Sequence, residues 1–262
     1  SKIICIFADV MTTAEDIYCI LEQMGDERQA RNLSRFFKTG KGDYGEGDRF
    51  LGLKCPQTRM VVHEARLDVP FEEIEKLLYS EWHEVRFAGF MLLVEEMKAA
   101  LPRKREPQTL HAERRKKILD FYLRHARQAN NWDLVDMTCT KIVGEWLLYP
   151  QADGTMPDHG ILDRLAASDN LWEQRIGMVT TWRLARAGQT DDTFRLATKL
   201  LHHPHDLMHK AVGWMLREAG KVDKDLLLDY LEEHYREMSR TTLRYAIERL
   251  PEPERQYWLK RQ

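Results

Sequence analysis

The sequence predicts an all-α fold, a superhelical stack of antiparallel helix pairs. Segments whose apolar residues recur with the helical period follow one another along the 262 residues, and none alternates as a half-buried strand does. The composition is 43% hydrophobic and 31% charged, with 14 Gly and 9 Pro, which favours helices with one apolar stripe. Neighbouring helices form about six hairpins, near the roughly 40-residue period of HEAT repeats. The predicted architecture is therefore an ARM/HEAT-like α–α superhelix.

The first helix pair is predicted between residues 13 and 40. Thr13 is expected to cap its first helix and Asp26 its second, and Gly40 to close the pair. The residues expected to face inward are Ile17, Ile20, Leu21 and Met24 in the first helix and Ala30, Leu33 and Phe37 in the second. A glycine-rich loop is predicted over residues 39–47.

The remaining helices follow with short breaks. Pro56 and Pro70 stand where helices can begin. The helices are predicted over residues 57–66, 71–79, 83–100, 112–128, 131–148, 158–167, 171–187, 193–201, 207–219, 224–238 and 241–249.

The helix spacing predicts one HEAT-like repeat domain over residues 1–262. Because the sequence does not repeat itself, this prediction depends on spacing alone, and two separate domains remain an alternative. Within it, residues 1–49 form less certain N-terminal helices and a loop, and residues 103–117 form a basic extension between helices.

Composition narrows the classes of function. The four cysteines (Cys5, Cys19, Cys55 and Cys139) are scattered without a CxxC pair, which predicts buried thiols in a reducing cytoplasm. The apolar start, residues 3–10, is too short to span a membrane and lacks signal-peptide features. A soluble, cytoplasmic protein is expected. Phosphate-binding GxxxxGK[ST], nucleophile-elbow GxSxG and dinucleotide-binding GxGxxG patterns do not occur.

Charge is segregated along the chain. The formal net charge of -2 gives no support to nucleic-acid binding. Residues 103–127, however, carry nine Lys/Arg against three acids. A histidine cluster (His202, His203, His205 and His209, with Asp206) matches no zinc spacing and is interrupted by Pro204. We expect helix caps and interhelical contacts there and no metal.

Three segments have residues suited to chemistry. In the first, Asn130 can cap a helix on which Trp132 and Asp136 lie four residues apart on one face. An indole and a carboxylate are then presented together. The alternative is that Trp132 belongs to the core and Asp136 is a solvated or ion-paired acid.

The second segment places a guanidinium near a helix start. Ser168 or Asp169 can cap this helix, and Arg175 follows Trp172 by three residues. Arg175 could bind a phosphate or steady the Asp136 carboxylate; an ordinary ion pair is the alternative.

The third segment sets two cations around an indole. Lys210, Trp214 and Arg217 form one helical stripe that suits a phosphodiester backbone. Gly213 would let another helix or a nucleic acid approach closely. A buried Trp214 with snorkelling basic neighbours explains the same spacing.

Together these motifs resemble the signatures of AlkD-type DNA alkylation repair glycosylases. The matching motifs are Trp-Asp-x-Val-Asp at 132–136, Ser-Asp-Asn-x-Trp-x-Gln-Arg at 168–175 and Lys-Ala-x-Gly-Trp-x-Leu-Arg-Glu at 210–218, in the same order. Phe-Leu-Gly-Leu at 50–53, before Pro56 and Arg59, resembles the N-terminal segment of this family. The resemblance covers residues 50–249. Two features depart from it: the basic extension, and Asn131 where some members have a second aromatic residue.

The resemblance implies a fold and an activity. In this family a curved stack of HEAT-like repeats holds duplex DNA on a basic concave surface and removes N7- and N3-alkylated purines without a metal or organic cofactor. It implies that Asp136 is the catalytic carboxylate, that Arg175 contacts a phosphate, and that Trp132 and Trp214 cradle the lesion's backbone. We also expect a monomer.

The remaining cations supply candidate DNA contacts. They are Lys210, Arg217, Arg59, Arg114, Arg115, Lys116 and Lys117. Two other functions remain open: a non-catalytic protein that binds DNA structures, and a helical-repeat adaptor for protein partners. An adaptor would predict an apolar or acidic concave wall, and salt-dependent duplex binding separates it from the other two.

Overall fold

The computed structural model of the protein describes residues 11–261, and these residues are all-helical. Fifteen α-helices and one 3-10 turn lie in this range, and the residue pairing closest to a strand within it is a single bridge between Arg49 and Trp82. Cys5 and the apolar segment 3–10 lie outside the described residues. The predicted all-α class of HEAT-like helix pairs is confirmed.

The helices are short, and most agree with the predicted ranges to within a few residues. They are α1 Ala14–Gln23, α2 Glu27–Phe36, α3 Cys55–Ala65, α4 Phe71–Leu78, α5 His83–Ala100, α6 Ala112–Arg124, α7 Trp132–Asp136, α8 Cys139–Leu148, α9 Gly160–Ala166, α10 Leu171–Ala185, α11 Asp191–Lys199, α12 Asp206–Gly220, α13 Lys224–His234, α14 Arg240–Ala246 and α15 Glu252–Arg261. The 3-10 turn spans Ala126–Gln128 after α6.

The chain divides into two compact units, one ending at Thr138 and one beginning at Cys139. The core of the first unit is α5, of which fifteen of the eighteen residues are buried. It packs against α1, α3, α4, α6 and α7. A helix surrounded in this way has apolar residues on every side, as residues 87–94 of α5 show, rather than one apolar stripe. That the whole chain forms one array stays a prediction.

The second unit is a two-layer stack of helix pairs. In one layer α8, α10, α12 and α14 contact one another in that order, while α9, α11 and α13 lie against them. Glycines allow close contacts: a Cβ on Gly213 would lie 2.5 Å from the carbonyl oxygen of Thr242 on α14. The sequence predicted that either a helix or a nucleic acid approaches Gly213 closely, and in the structure a helix does so.

Predicted caps are confirmed at the first two helices. The Thr13 side chain accepts the N–H of Asp16, which closes a capping box, and Asp26 accepts from the N–H of Gln29. Elsewhere the cap is a neighbour of the predicted residue: Asn131 instead of Asn130 for α7, and Asn170 instead of Ser168 or Asp169 for α10. Each capping asparagine has an extended backbone from which its side chain reaches the first free N–H groups.

Two other predictions are wrong. The helix predicted over residues 131–148 is two helices, because the chain turns at Met137 and Thr138, where the Thr138 hydroxyl donates to the Leu134 carbonyl at 2.6 Å. The second helix ends before Lys38, which has a left-handed backbone, and not at Gly40. In addition, helix α15 lies beyond the last predicted helix, which ended at residue 249.

Candidate functional site

A cavity of about 410 Å³ opens in the first unit, and both Trp132 and Asp136 line it. This volume lies in the range of about 300–1,000 Å³ that is usual for small-molecule sites. The indole and the carboxylate, which their spacing predicted to share one helix face, thus line the same cavity. Five aromatic side chains contribute to the wall: Phe36, Phe37, Phe50, Phe87 and Trp132. The polar lining residues are Gln29, Lys54, Thr58, His83, Glu84, Asp133 and Asp136.

Helix α2 forms one wall of this cavity instead of packing into the core. None of its residues is buried, so the prediction that Ala30 and Leu33 face the core is wrong. Leu33 and Phe36 line the cavity, and Phe36 is 62% exposed. The apolar face of α2 therefore borders an open space that a ligand could fill.

The aromatic rings are stacked on one another. The Phe37 ring lies between those of Phe50, at 5.2 Å, and Trp132, at 5.3 Å, with interplanar angles of 14° and 27°. Phe36 meets Trp132 edge-on at 5.9 Å. Aromatic pairs with these separations contribute about 0.5–1.5 kcal/mol beyond their burial. The stack fixes the plane of the Trp132 indole, which is half-buried, not core.

Beneath the rings lies a buried chain of charged groups centred on His83, the first residue of α5. Its Nδ1 is 2.9 Å from Asp48 Oδ2 and its Nε2 is 2.8 Å from Asp133 Oδ2. The other oxygen of Asp48 accepts from the Arg86 guanidinium. The rings of Phe37 and Phe50 lie 4.9 and 4.7 Å from the imidazole. His83 therefore links the start of α5 to the first turn of α7.

These neighbours keep His83 charged. Burial alone would lower its pKa, but the charges and hydrogen bonds of Asp133 and Asp48 outweigh burial and raise the pKa to about 9. Burial likewise acts to raise the pKa of Asp48, yet the His83 hydrogen bond and the Arg86 charge hold this pKa below its usual range. The network is an imidazolium between two carboxylates.

Glu84 holds the loop that carries Phe50. Its carboxylate accepts the N–H groups of Leu51 at 2.9 Å, Gly52 at 2.9 Å and Leu53 at 3.0 Å. Gly52 has a φ of +92°, and a Cβ there would lie 2.0 Å from the Asp26 carbonyl oxygen. The Phe-Leu-Gly-Leu motif is thus a tight turn that presents Phe50 to the cavity.

Helix α7 is anchored at both ends. At its start, the Asn131 side chain accepts the Trp132 N–H at 2.9 Å and donates to Asp48 at 3.4 Å. After its last turn, the Thr138 hydroxyl lies 3.0 Å from the Tyr122 hydroxyl of α6. Asn131, the residue that departs from the family pattern, is completely buried and works as a cap.

The second unit contains Arg175, which lies on α10 and is 5% exposed. Its Nη1 donates to the Leu207 carbonyl, 2.7 Å away, at the start of α12. This contact ties two neighbouring helices together. A phosphate contact by Arg175 stays a prediction.

The stripe around Trp214 lies on α12, and both of its cations are ion-paired. Lys210 lies 2.8 Å from Asp206, while Arg217 contacts Glu218, at 3.2 Å, and Glu248. Trp214 is half-buried. The predicted phosphate contacts would have to compete with these carboxylates.

The prediction that Arg115, in the basic extension, contacts DNA is wrong. Arg115 is completely buried, and its guanidinium donates to the carbonyl oxygens of Ala100, Gln108 and Leu110. A charge enclosed in this way stabilises the connection between α5 and α6 and does not reach a phosphate. The pattern of the sequence could not separate it from its neighbour Arg114, because both are cations of one run.

Four other cations that were predicted to contact DNA are exposed. Arg59 is exposed on α3, Arg114 pairs with Glu96 at 2.5 Å, and Lys116 pairs with Asp120 at 2.6 Å. The Lys117 ammonium lies 4.9 Å from the centre of the Phe71 ring. These four remain candidate DNA contacts.

The histidine cluster makes the polar contacts expected of it. His205 caps α12, His203 lies 2.8 Å from Gln174, and His209 donates to the His203 carbonyl at 2.6 Å. Among residues 11–261 no group of His, Cys, Asp and Glu has a metal-binding arrangement.

Comparison with known proteins identifies the family. The family model described as "DNA alkylation repair enzyme" matches residues 20–250, most of the chain. The chain belongs to the DNA alkylation repair enzyme family. Its membership gives the protein a role in the repair of alkylated DNA, in agreement with the resemblance of its three motifs.

A solved structure supports the fold of this family member. It is described as a "Predicted DNA alkylation repair enzyme from Enterococcus faecalis" and aligns with a TM-score of 0.61 over 87% of this chain and 97% of that chain. At 15% identity the likeness concerns the fold alone. No curated protein matches this chain. Within the described range, the family member has no helix long and apolar enough to cross a membrane.

Several residues of the cavity were not found from the sequence of this family member. His83 and Glu84 open α5, whereas Asp48 lies in the loop before α3, and only the tertiary structure joins His83 to Asp48 and α7, and Glu84 to the loop of Phe50. One signal was present: His83 and Glu84 stand just before the apolar run of residues 87–94 in the same helix, and charges beside such a run need partners when they are buried.

Proposed function

We propose that the protein is a monofunctional DNA glycosylase that hydrolyses the N-glycosidic bond of cationic N7- and N3-alkylated purines, such as 7-methylguanine and 3-methyladenine, in duplex DNA. The observation that carries the proposal is the carboxylate of Asp136 beside the Trp132 indole in one aromatic-lined cavity. Family membership supports the repair of alkylated DNA, and the residues of this cavity supply a chemical route to it.

The chemistry needs few groups because the substrate is already activated. A purine alkylated at N7 or N3 carries a positive charge, so it leaves without a general acid. The C1′–N bond breaks, its electron pair neutralises the departing base, and positive charge develops on the sugar. A carboxylate near C1′ stabilises that charge and orients a water, whose oxygen bonds to C1′ as its proton passes to the carboxylate or solvent. We assign this role to Asp136.

The aromatic wall adds a second source of stabilisation. The negative faces of Trp132 and its neighbours attract a cationic sugar or base, each by roughly 0.5–2 kcal/mol depending on desolvation. This favours charged lesions over normal nucleotides. No metal or organic cofactor is required by the route.

Contacts with the DNA backbone are assigned to other residues. We propose that Arg175 and Trp214 contact the backbone of the lesion, and that Lys210, Arg217, Arg59, Arg114, Lys116 and Lys117 contribute phosphate contacts. The protein is proposed to act as a cytoplasmic monomer. A helical-repeat adaptor would not need a carboxylate within an aromatic cavity.

Single-turnover release of 7-methylguanine from a defined duplex tests the proposal. We expect the wild type to release free base, and Asp136→Asn to release it at least about 100-fold more slowly, since a preorganised electrostatic group contributes effects of this size. Affinity for undamaged duplex should change less than twofold. Asp68→Asn, an exposed residue between α3 and α4, is the matched control.

Each alternative predicts a different result. Full activity of Asp136→Asn would remove Asp136 from the mechanism. Salt-dependent duplex binding without base release by the wild type would favour the non-catalytic DNA-binding alternative. Absence of salt-dependent duplex binding would favour an adaptor.

A further inference from the structure

The charged chain under the cavity holds the helix that carries Asp136. His83 contacts one carboxylate with each ring nitrogen, Asp48 at 2.9 Å and Asp133 at 2.8 Å. A carboxylate only accepts hydrogen bonds, so both contacts are satisfied at once only when both nitrogens carry a proton. The geometry is therefore that of an imidazolium.

Helix α7 depends on contacts of this kind. It has five residues, and a helix of this length has no stability of its own. Its first turn is tied down by Asp133 to His83 and by Asn131 to Asp48. The Trp132 indole stacks on Phe37, which in turn lies 4.9 Å from the imidazole. The position of the first turn thus depends on His83.

We propose that protonated His83 is a positioning residue for base excision: it holds Asp48 and Asp133 together and so fixes the turn of α7 that presents Trp132 and Asp136 to the cavity. This inference rests on the proposed function, in which Asp136 is the catalytic carboxylate. His83 has no direct part in bond breaking in this role, since its side chain is 3% exposed and both of its ring nitrogens contact carboxylates.

Loss of the His83 proton would release one of the two carboxylates. A neutral imidazole donates once, and its other nitrogen directs a lone pair at a carboxylate. Asp48 keeps Arg86 and Asn131 as donors, whereas Asp133 is 19% exposed and can turn to solvent. The charged groups that face His83 are thus Asp48 from the preceding loop and Asp133 from α7.

Excision should consequently be lost at alkaline pH, and the pH of that loss should depend on Asp48. The other titratable groups of the cavity are Lys54, Cys55, Glu84 and Asp136, and their titration is common to the wild type and the variant. Replacing Asp48 by Asn removes one of the two charges that keep His83 protonated, so the loss should move to lower pH. A merely structural role of Asp48 would reduce the rate by the same factor at every pH.

The test is the ratio of single-turnover rates, Asp48→Asn over wild type, for release of 7-methylguanine between pH 6.5 and 9. Any titration of the substrate cancels in this ratio. We expect it to fall about fivefold or more across the range, as the variant loses its His83 proton before the wild type does. The control Asp68→Asn should give a constant ratio. A constant ratio for Asp48→Asn, within twofold, would overturn the proposal.

A second measurement does not need activity. In an NMR titration of the wild type, the His83 imidazole and the Trp132 indole N–H, identified with Trp132→Phe, should shift with one midpoint, near the His83 pKa of about 9. In Asp48→Asn both midpoints should be lower. A Trp132 signal that does not follow His83 would overturn the proposal, even if Asp48→Asn does not fold. If the wild type releases no base, the proposed function fails and this titration still decides the role of His83.

Discussion

Replacing Arg115 by Met tests whether this arginine is a structural residue or a DNA contact. Arg115 lies on α6 and its side chain is completely buried. Its guanidinium donates to three carbonyl oxygens, those of Ala100 at 3.1 Å, of Gln108 at 2.9 Å and of Leu110. Ala100 is the last residue of α5, and Gln108 and Leu110 belong to the connection from α5 to α6. Methionine keeps an apolar stem of similar length without the charge, so the variant isolates the guanidinium.

The expected loss of stability follows from two opposing effects. Three hydrogen bonds from a charged group contribute roughly 1.5–3 kcal/mol each, together about 5–9 kcal/mol. Relief from burying a cation offsets several kcal/mol of this. Water can replace Arg115 at the part-buried Gln108 and Leu110 carbonyls, but less readily at Ala100. We therefore expect the free energy of unfolding to fall by about 2–4 kcal/mol.

Two assays distinguish the roles. Urea unfolding gives the stability, with Lys117→Met as the matched control; its exposed ammonium loses one cation–π contact, about 0.5–1 kcal/mol. Duplex affinity against salt gives the phosphate contacts, because each one lost lowers the slope of log affinity on log salt by about 0.9. Arg115→Met should keep the wild-type slope where it is folded. A lower slope with unchanged stability would refute the structural role.

Two more substitutions test the site's framework. The free energy of unfolding should depend on pH through His83: its folded pKa of about 9 exceeds the 6.5 of an ordinary histidine, so its contribution is complete below pH 6.5 and is lost as the pH rises through 9. At about 1.4 kcal/mol per pKa unit, the contribution of His83 to the free energy of unfolding amounts to about 3 kcal/mol. Urea unfolding of the wild type and of His83→Gln at pH 6.5 and pH 10 measures it, because the stability difference between the two proteins should shrink by this amount. An equal pH dependence of the two proteins would contradict the prediction. Gly52→Ala should destabilise the protein by at least about 2 kcal/mol more than Gly42→Ala, because both positions have a positive φ but only at Gly52 would the new Cβ meet a carbonyl oxygen, at 2.0 Å. Thermal or urea unfolding of the two variants decides this, and similar losses would show that the positive φ alone, and not the contact with the carbonyl oxygen, makes a Cβ unfavourable at Gly52.

The sequence by itself determined the fold class, most helices and the family. Helix periodicity and capping residues are local properties, so Thr13, Asp26 and the range of α5 could be read directly. The placement of Trp132 and Asp136 on one cavity wall followed from their spacing on one turn. Three ordered motifs were enough to indicate the family that the comparison then showed.

Only the tertiary structure decided which charged residues are buried and what they hold. Arg114 and Arg115 are adjacent cations in the sequence, yet the Arg114 side chain is exposed, whereas the Arg115 side chain is completely buried against a loop. Likewise Asp48, His83 and Asp133 come together only after folding, because 35 positions of chain separate the first two and 50 the last two. The physical reason is that periodicity reports which face of a helix is apolar, whereas the pairing of buried charges depends on contacts between segments distant in sequence.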